Sequence, residues 1–125
     1  MKVIQKALIK KGNKILILKR SKRDEDNPLY WDFPGGNLKR GEIPQEALIR
    51  EVLEETSLKV SVGDIIGEFK INVKGEICLF KVYSTESVSG EVRVSKEHDS
   101  FRWASKEMML NLKRVQPFVR LLLNK

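Results

Sequence analysis

Residues 36–58 constrain the fold of this chain most, because they predict an amphipathic helix that follows a glycine-rich break. Pro34-Gly35-Gly36 interrupts regular structure, and Pro44 suits the first turn of a helix, where its missing N–H costs nothing. At about 100° per residue, four apolar side chains share one arc about 140° wide: Leu48, Ile49, Val52 and Leu53. The segment 44–57 is therefore predicted to be a helix that packs through one face.

A second face of this helix gathers the carboxylates of Glu51, Glu54 and Glu55. Side chains three and four residues apart are neighbours on a helix, so these charges repel, and Arg50 alone cannot neutralise them. A divalent cation would relieve the repulsion, and all-oxygen ligation suits Mg²⁺ or Mn²⁺ rather than Zn²⁺. For an isolated motif an ordinary solvated helix face would be the better interpretation. The surrounding sequence favours a metal site instead.

That surrounding sequence resembles the signature of the Nudix hydrolases. The matching residues are Gly36, Glu42, Arg50, Glu51, Glu54, Glu55 and Leu58, after a similar lead-in at Trp31-Asp32-Phe33-Pro34-Gly35. Ser57 is the departure, because the family usually has Gly there. The resemblance covers nearly the whole chain. It implies an α/β fold, the Nudix α/β/α sandwich with a central mixed β-sheet, with residues 1–125 as a single domain.

The resemblance also implies an activity, which is metal-dependent hydrolysis of a nucleoside diphosphate linked to another moiety. The metal ligands would be Glu51, Glu54, Glu55 and the backbone carbonyl of Gly35. The general base would be either Glu51 or Glu97, since the base moves between positions in the family. Glu97 belongs to a Glu-His segment that precedes an aromatic-Arg-Trp strand, as in many of these enzymes.

Further site residues follow from the same resemblance. Arg50 would form an ion pair with Glu42 that orients the helix carboxylates. Arg20, at the end of the second predicted strand, would lie near the substrate phosphates, and Gly36 would contribute to substrate binding. For Arg20, and for Glu97 on its loop, an ordinary exposed role is the alternative.

The formal net charge of +7 favours polyanionic partners such as nucleotides. No apolar run is long enough to span a bilayer and residues 1–4 do not resemble a signal peptide, so no membrane partner and a cytoplasmic location are expected. The single cysteine, Cys78, is expected in the core. No nucleic acid is expected to bind, with RNA ends as the exception left open, and a homodimer is also left open.

The remaining elements are predicted from periodicity and turn residues. Strands are expected at 3–10 and 14–19 around a turn at 11–13, and then near 59–73, 76–84, 91–94 and 100–104. Ser105 is expected to cap a short helix, and a last helix is expected from residue 113 or 114 to 123. If Ser57 takes the left-handed conformation of the usual glycine, it costs roughly 1 kcal/mol.

Substrate choice is the least constrained inference. Marks that similar enzymes carry for ADP-ribose, dinucleoside polyphosphates or oxidised guanine are absent at Val73, at 74–76 and near Val115. By elimination, a MutT-like nucleoside triphosphate pyrophosphohydrolase is favoured, with ADP-ribose or a nucleotide sugar as the second candidate. A non-catalytic nucleotide- or RNA-binding domain is disfavoured because all three helix glutamates are retained.

Overall fold

The computed structural model describes residues 1–125 and contains seven strands and three helices. The strands are β1 (Lys2–Lys11), β2 (Lys14–Arg20), β3 (Trp31–Asp32), β4 (Gly35–Asn37), β5 (Lys59–Val73), β6 (Glu76–Ser89) and β7 (His98–Ala104). The helices are α1 (Pro44–Thr56), α2 (Lys106–Leu110) and α3 (Pro117–Leu123). None of the helices has the length and apolar character needed to cross a membrane.

The sheet divides into two wings that share the β1–β2 hairpin. β1 and β2 pair only near the turn, where Lys10 lies opposite Ile15. Beyond the turn, β1 pairs in parallel with β6 and antiparallel with β4, and β5 pairs with β6. β2 instead pairs antiparallel with β3 and β7. The sheet is therefore mixed, as predicted, and the divergence of the wings leaves space between them.

Helices cover both faces of the sheet. Successive side chains of a strand point to opposite faces. Leu8 and Ile17 accordingly pack in an apolar cluster with residues of α3, while Ile9 and Leu16 pack in a second cluster with residues of α1. Cys78 lies in the first cluster and is buried, as expected. This arrangement confirms the α/β/α sandwich.

Helix α1 ends as its sequence suggests. Its N-cap, Ile43, provides no side-chain hydrogen bond, and Pro44 occupies the first turn. At the other end, Ser57 is left-handed with φ 67°, and its N–H donates to the carbonyl of Leu53 at 2.9 Å. The sequence left the conformation of Ser57 open, and the structure shows the left-handed C-cap conformation on a serine.

The predicted strand at 91–94 is wrong. Backbone N–H groups in and next to this segment donate to carbonyls at the end of α1 and not to a neighbouring strand. The N–H of Arg93 donates to Thr56 O at 2.8 Å, and that of Ser95 donates to Glu55 O at 3.2 Å. The last carbonyls of a helix have no partner within the helix, so this extended segment satisfies them.

The last helix begins at Pro117 rather than at residue 113 or 114. Proline disfavours the helical conformation in the residue before it, and Gln116 is extended with φ −59° and ψ 138°. The backbone before the helix is used elsewhere, since the N–H of Trp31 donates to Arg114 O at 2.7 Å. The short strands β3 and β4 were not predicted.

Candidate active site

A cavity of about 560 Å³ is lined by strands of both wings and by α1. Five of the predicted site residues lie in its wall: Arg20, Gly35, Gly36, Glu55 and Glu97. The other three, Arg50, Glu51 and Glu54, lie on α1 outside this lining. The fold thus brings together residues from four separate parts of the sequence.

The two glycines allow β4 to fit tightly between β1 and α1. A Cβ atom on Gly35 would lie 2.0 Å from the backbone oxygen of Gln5, and φ of Gly35 is 148°. A Cβ atom on Gly36 would lie 1.8 Å from Oε2 of Glu51. These close approaches require glycine, and they place the Glu51 carboxylate against the β4 backbone.

Glu51 carries a carboxylate oxygen that is buried without a partner. Its Oε1 atom accepts no hydrogen bond. Burial raises the pKa of Glu51 above its ordinary value, Arg50 acts to lower it, and the charge of Glu42 adds to the rise. The folded chain alone therefore leaves this carboxylate unsatisfied.

Glu55 lies deeper and has the more strongly shifted carboxyl group. Its Oε1 atom accepts a hydrogen bond from the N–H of Gly35 at 2.9 Å. Burial raises the pKa of Glu55 to about 7, although the nearby Lys6 ammonium and the Gly35 hydrogen bond both act to lower it. The positive charge and the hydrogen bond that the protein supplies are therefore too weak to offset the cost of burying a negative charge on Glu55.

Glu54 is held by Arg50 at the exposed side of α1. Arg50 Nη1 lies 2.6 Å from Glu54 Oε1, and its Nη2 lies 2.9 Å from Glu42 Oε2. Glu42 Oε1 also accepts a hydrogen bond from the N–H of Lys39 at 2.7 Å. The predicted Glu42–Arg50 ion pair is present, and it extends to Glu54.

The acidic side chains of α1 suit a divalent cation in chemistry but are not gathered around one point. No group of three His, Cys, Asp or Glu side chains has the arrangement of a metal site. However, the donors are all oxygen, Glu51 Oε1 has no partner, and burial raises the pKa of two of the carboxyls. The residues therefore fit a divalent cation, and Glu54 would have to turn away from Arg50 to join it.

A buried ion network, which the sequence did not predict, forms another wall of the cavity. Lys6 Nζ lies 2.8 Å from Asp32 Oδ2, and these side chains are 5% and 2% exposed. Arg20 Nη2 reaches the same oxygen at 2.9 Å, while Arg20 Nη1 lies 3.1 Å from Asp24 Oδ2. The position of Lys6 within the buried part of β1 could have indicated a buried charge. The sequence could not identify its partner, because Asp32 lies 26 residues away.

The network determines how Arg20 is presented. Burial acts to lower the pKa of Arg20, but the charges of Asp32 and Asp24 raise it overall. The guanidinium group lines the cavity at the end of β2 and is fixed on two sides by carboxylates. Its position agrees with the predicted contact to substrate phosphates, which stays a prediction.

Glu97 reaches the cavity from the loop before β7. Its backbone oxygen accepts a hydrogen bond from the N–H of Ser21 at 3.0 Å, which fixes this loop to the end of β2. Glu97 is exposed, and its charge adds to the raised pKa of Glu55. The adjacent His98 is half-buried with an unpartnered Nδ1 atom, and burial lowers its pKa. The loop thus delivers a carboxylate to the cavity that Glu55 also lines.

Comparison with known proteins gives consistent matches. The family model described as NUDIX domain matches residues 6–124. The CTP pyrophosphohydrolase of Escherichia coli (strain K12) is 30% identical over 88% of this chain and 82% of its own length. The ADP-ribose pyrophosphatase of Methanocaldococcus jannaschii is 32% identical over 72% of this chain, which spans 53% of that protein. The crystal structure of a MutT protein from Methanosarcina mazei Go1 superposes with a TM-score of 0.89 at 29% identity, covering 98% of this chain and 89% of that one.

Proposed function

The chain belongs to the Nudix family and is a hydrolase that acts on nucleotide-linked substrates, and from this premise we propose that it converts nucleoside triphosphates to nucleoside monophosphates and pyrophosphate. The observation that carries the proposal is one cavity in which the Arg20 guanidinium lies with the carboxyl groups of Glu55 and Glu97. The guanidinium can donate hydrogen bonds to phosphate oxygens in this cavity, and a carboxylate there can accept a proton from the attacking water. The proposal takes residues 1–125 as one catalytic domain.

Nudix hydrolases generally use a divalent metal, and we propose Mg²⁺ or Mn²⁺ in this chain. Glu51, Glu54, Glu55 and the carbonyl of Gly35 would hold it. When bound, such an ion lowers the pKa of coordinated water and offsets negative charge on the phosphate oxygens. The unpartnered Oε1 of Glu51 and the raised pKa of Glu55 support this assignment.

The residues of the chain then have distinct tasks. Glu51 or Glu97 accepts a proton from the water whose oxygen bonds to phosphorus, while the bond from phosphorus to the leaving phosphate oxygen breaks. Arg20 donates hydrogen bonds to phosphate oxygens, and its anchoring by Asp32 and Asp24 fixes its direction. The Glu42–Arg50 ion pair positions the acidic face of α1.

A nucleoside triphosphate is the preferred substrate class because one relative that matches over most of both chains is a CTP pyrophosphohydrolase. The chain spans 82% of the CTP pyrophosphohydrolase of Escherichia coli but 53% of the ADP-ribose pyrophosphatase of Methanocaldococcus jannaschii. The second protein therefore has a large part that this chain does not match. ADP-ribose remains the alternative substrate.

The proposal is tested by incubating the purified protein with Mg²⁺ and a panel of nucleoside triphosphates, ADP-ribose and nucleotide sugars. We expect nucleoside monophosphate and pyrophosphate from at least one triphosphate, with a larger kcat/KM than for ADP-ribose. Excess chelator should abolish the reaction. Turnover of ADP-ribose alone, or full activity with the chelator, would contradict the proposal.

A further inference from the structure

A second cavity, of about 760 Å³, lies where β1 leaves β6 and begins to pair with β2. Its walls come from β1, from the end of β6 with the segment that follows it, and from β7. None of its lining residues lines the active-site cavity, and none is a proposed metal ligand or general base. Its volume falls within the range of about 300–1,000 Å³ that is typical of small-molecule sites.

One wall of this second cavity, residues 90–92, is held in place by the end of α1. A Cβ atom on Gly90, whose φ is 105°, would lie 2.9 Å from the carbonyl oxygen of Ser57. Just after this wall, the N–H of Arg93 donates to Thr56 O at 2.8 Å. The protein itself therefore fixes this backbone, so that binding of a ligand would order little of it.

Two aromatic side chains of β7 give the second cavity a surface for stacking. Phe101 and Trp103 both line it, and they lie on the same face of the strand because they are two residues apart. Trp103 is half-buried and packs against the apolar cluster on the α1 side of the sheet. Phe101 is 42% exposed, so part of its ring is available to a ligand. A heteroaromatic ring can stack on such a surface.

The charged side chains of the second cavity are not paired with one another. Lys11 Nζ lies 5.6 Å from the centroid of the Trp103 ring, which places its ammonium group at the aromatic surface. Lys10 also lines the cavity, and neither lysine forms a salt bridge. The lining carboxylates of Glu86 and Glu91 form none either. A ligand that carries both an anion and hydrogen-bond donors would complement the two sets of charges.

We propose that the second cavity is a non-catalytic binding site for a nucleoside monophosphate. The base stacks on Phe101, and the phosphate binds the ammonium groups of Lys10 and Lys11. Hydroxyl and amino groups of the ligand donate to Glu86 and Glu91. The net charge of +7 adds a long-range attraction for the anion. This inference goes beyond the proposed function, because no step of the proposed reaction uses these residues.

The test follows the fluorescence of Trp103, which is the only tryptophan left in the variant Trp31→Phe. Titration of this parent variant with AMP, CMP, GMP and UMP should give a saturable change for at least one of them. Adding Lys11→Gln should weaken that binding by about 3–10-fold, through loss of a charged contact. Adding Phe101→Ala should weaken it by about 5–100-fold, because stacking is lost. Lys14→Gln removes an exposed lysine that does not line the cavity, and its affinity should stay within about twofold.

Inorganic phosphate and the matching nucleoside test the two halves of the ligand. Each should bind at least about 10-fold more weakly than the monophosphate, since each lacks one set of contacts. Equal binding of either half would overturn the inference, and so would equal affinity in the parent variant, Lys11→Gln and Phe101→Ala. The absence of a saturable change up to about 10 mM ligand would overturn it as well. Because Lys11 and Phe101 are exposed, both substitutions should leave the fold intact. Binding is measured without turnover, so failure of the proposed reaction would leave this result unaffected.

Discussion

The candidate active site has two charged regions that differ in how completely the protein pairs their charges. In the network of Lys6, Arg20 and Asp32, each charge has an opposite charge within hydrogen-bond distance. On the acidic face of α1, Glu51 has an unpartnered oxygen and Glu55 receives one hydrogen bond, from the Gly35 N–H. The first region is complete in the folded chain, whereas the second leaves capacity for a ligand.

The pKa shifts of the two regions show the same difference. Asp32 is buried and Glu55 is half-buried, and burial by itself raises the pKa of each. The charges of Lys6 and Arg20 nevertheless hold the pKa of Asp32 below its ordinary value, while the pKa of Glu55 rises to about 7. Burial alone therefore does not identify a functional carboxylate. The supply of compensating charge distinguishes the two.

Glu55→Gln should give the largest effect, because it removes a proposed metal ligand. We expect turnover to fall by about 10³-fold or more, which corresponds to several kcal/mol of lost transition-state stabilisation. Glu54→Gln should behave alike. Metal-free stability should be unchanged or slightly higher in both variants, since repulsion falls. Steady-state kinetics and chemical denaturation check these results, with the exposed Glu46→Gln as the control in the same helix.

Glu97→Gln separates the two candidates for the general base. If Glu97 is the base, the maximal rate should fall by about 10²–10⁴-fold, with a smaller effect on substrate affinity. If Glu51 is the base and Glu97 only helps to hold a metal, a higher Mg²⁺ concentration should restore much of the rate. The measurement is kcat and KM across a Mg²⁺ titration, with Asp99→Asn as the control. Wild-type kinetics at limiting Mg²⁺ would assign Glu97 no role.

Asp32→Asn should disrupt the ion network of Lys6, Arg20 and Asp32. Because Asp32 is not a proposed metal ligand, we expect the substitution to lower the free energy of unfolding. Removing one partner of a buried ion pair leaves an uncompensated charge on Lys6, which costs about 3–5 kcal/mol. The free energy of unfolding from urea titration measures the loss. Asp64→Asn, at an exposed position, should change it by about 0.5 kcal/mol or less. Equal stability of the two variants would mean that the Asp32 pairs contribute nothing.

The pH dependence of unfolding sharpens the same contrast. Because the pKa of Asp32 is lower in the folded state, its contribution is fully present above the unfolded pKa of about 3.9. It is lost as the pH falls from there through the lower folded pKa. The free energy of unfolding, measured by urea denaturation between pH 6 and pH 2, should therefore change more with pH for the wild type than for Asp32→Asn. Parallel curves would contradict the lowered pKa.

Ser57→Gly should have the smallest effect and lies outside both regions. Ser57 is left-handed with φ 67°, a conformation in which glycine is favoured by roughly 1 kcal/mol. The melting temperature should rise by a matching amount, and turnover should change little. A lower melting temperature would indicate that the weak contact from Ser57 Oγ to Arg93 O, at 3.5 Å, matters more than the backbone preference.

The sequence by itself determined the features that depend on neighbours along the chain. The helix predicted at 44–57 and found at Pro44–Thr56, and the spacing of Glu51, Glu54 and Glu55 along it, follow from periodicity and turn chemistry. The hairpin formed by β1 and β2 follows in the same way. These features were correct because a residue's local neighbours fix them.

Tertiary structure decided which polar groups are paired and which are left free. Lys6 forms an ion pair with Asp32, which lies 26 residues away in the sequence. The backbone N–H groups of Arg93 and Ser95 donate to carbonyls of α1 and not to a neighbouring strand. Gln116 is buried with its Nε2 atom unpartnered, and its backbone N–H donates to Trp31 O, 85 residues earlier in the chain. Neither burial nor hydrogen-bond pairing is encoded in local periodicity, since both depend on which distant segment packs alongside. The sequence therefore identified the acidic face of α1, whereas the fold determined which of its carboxylates remain uncompensated.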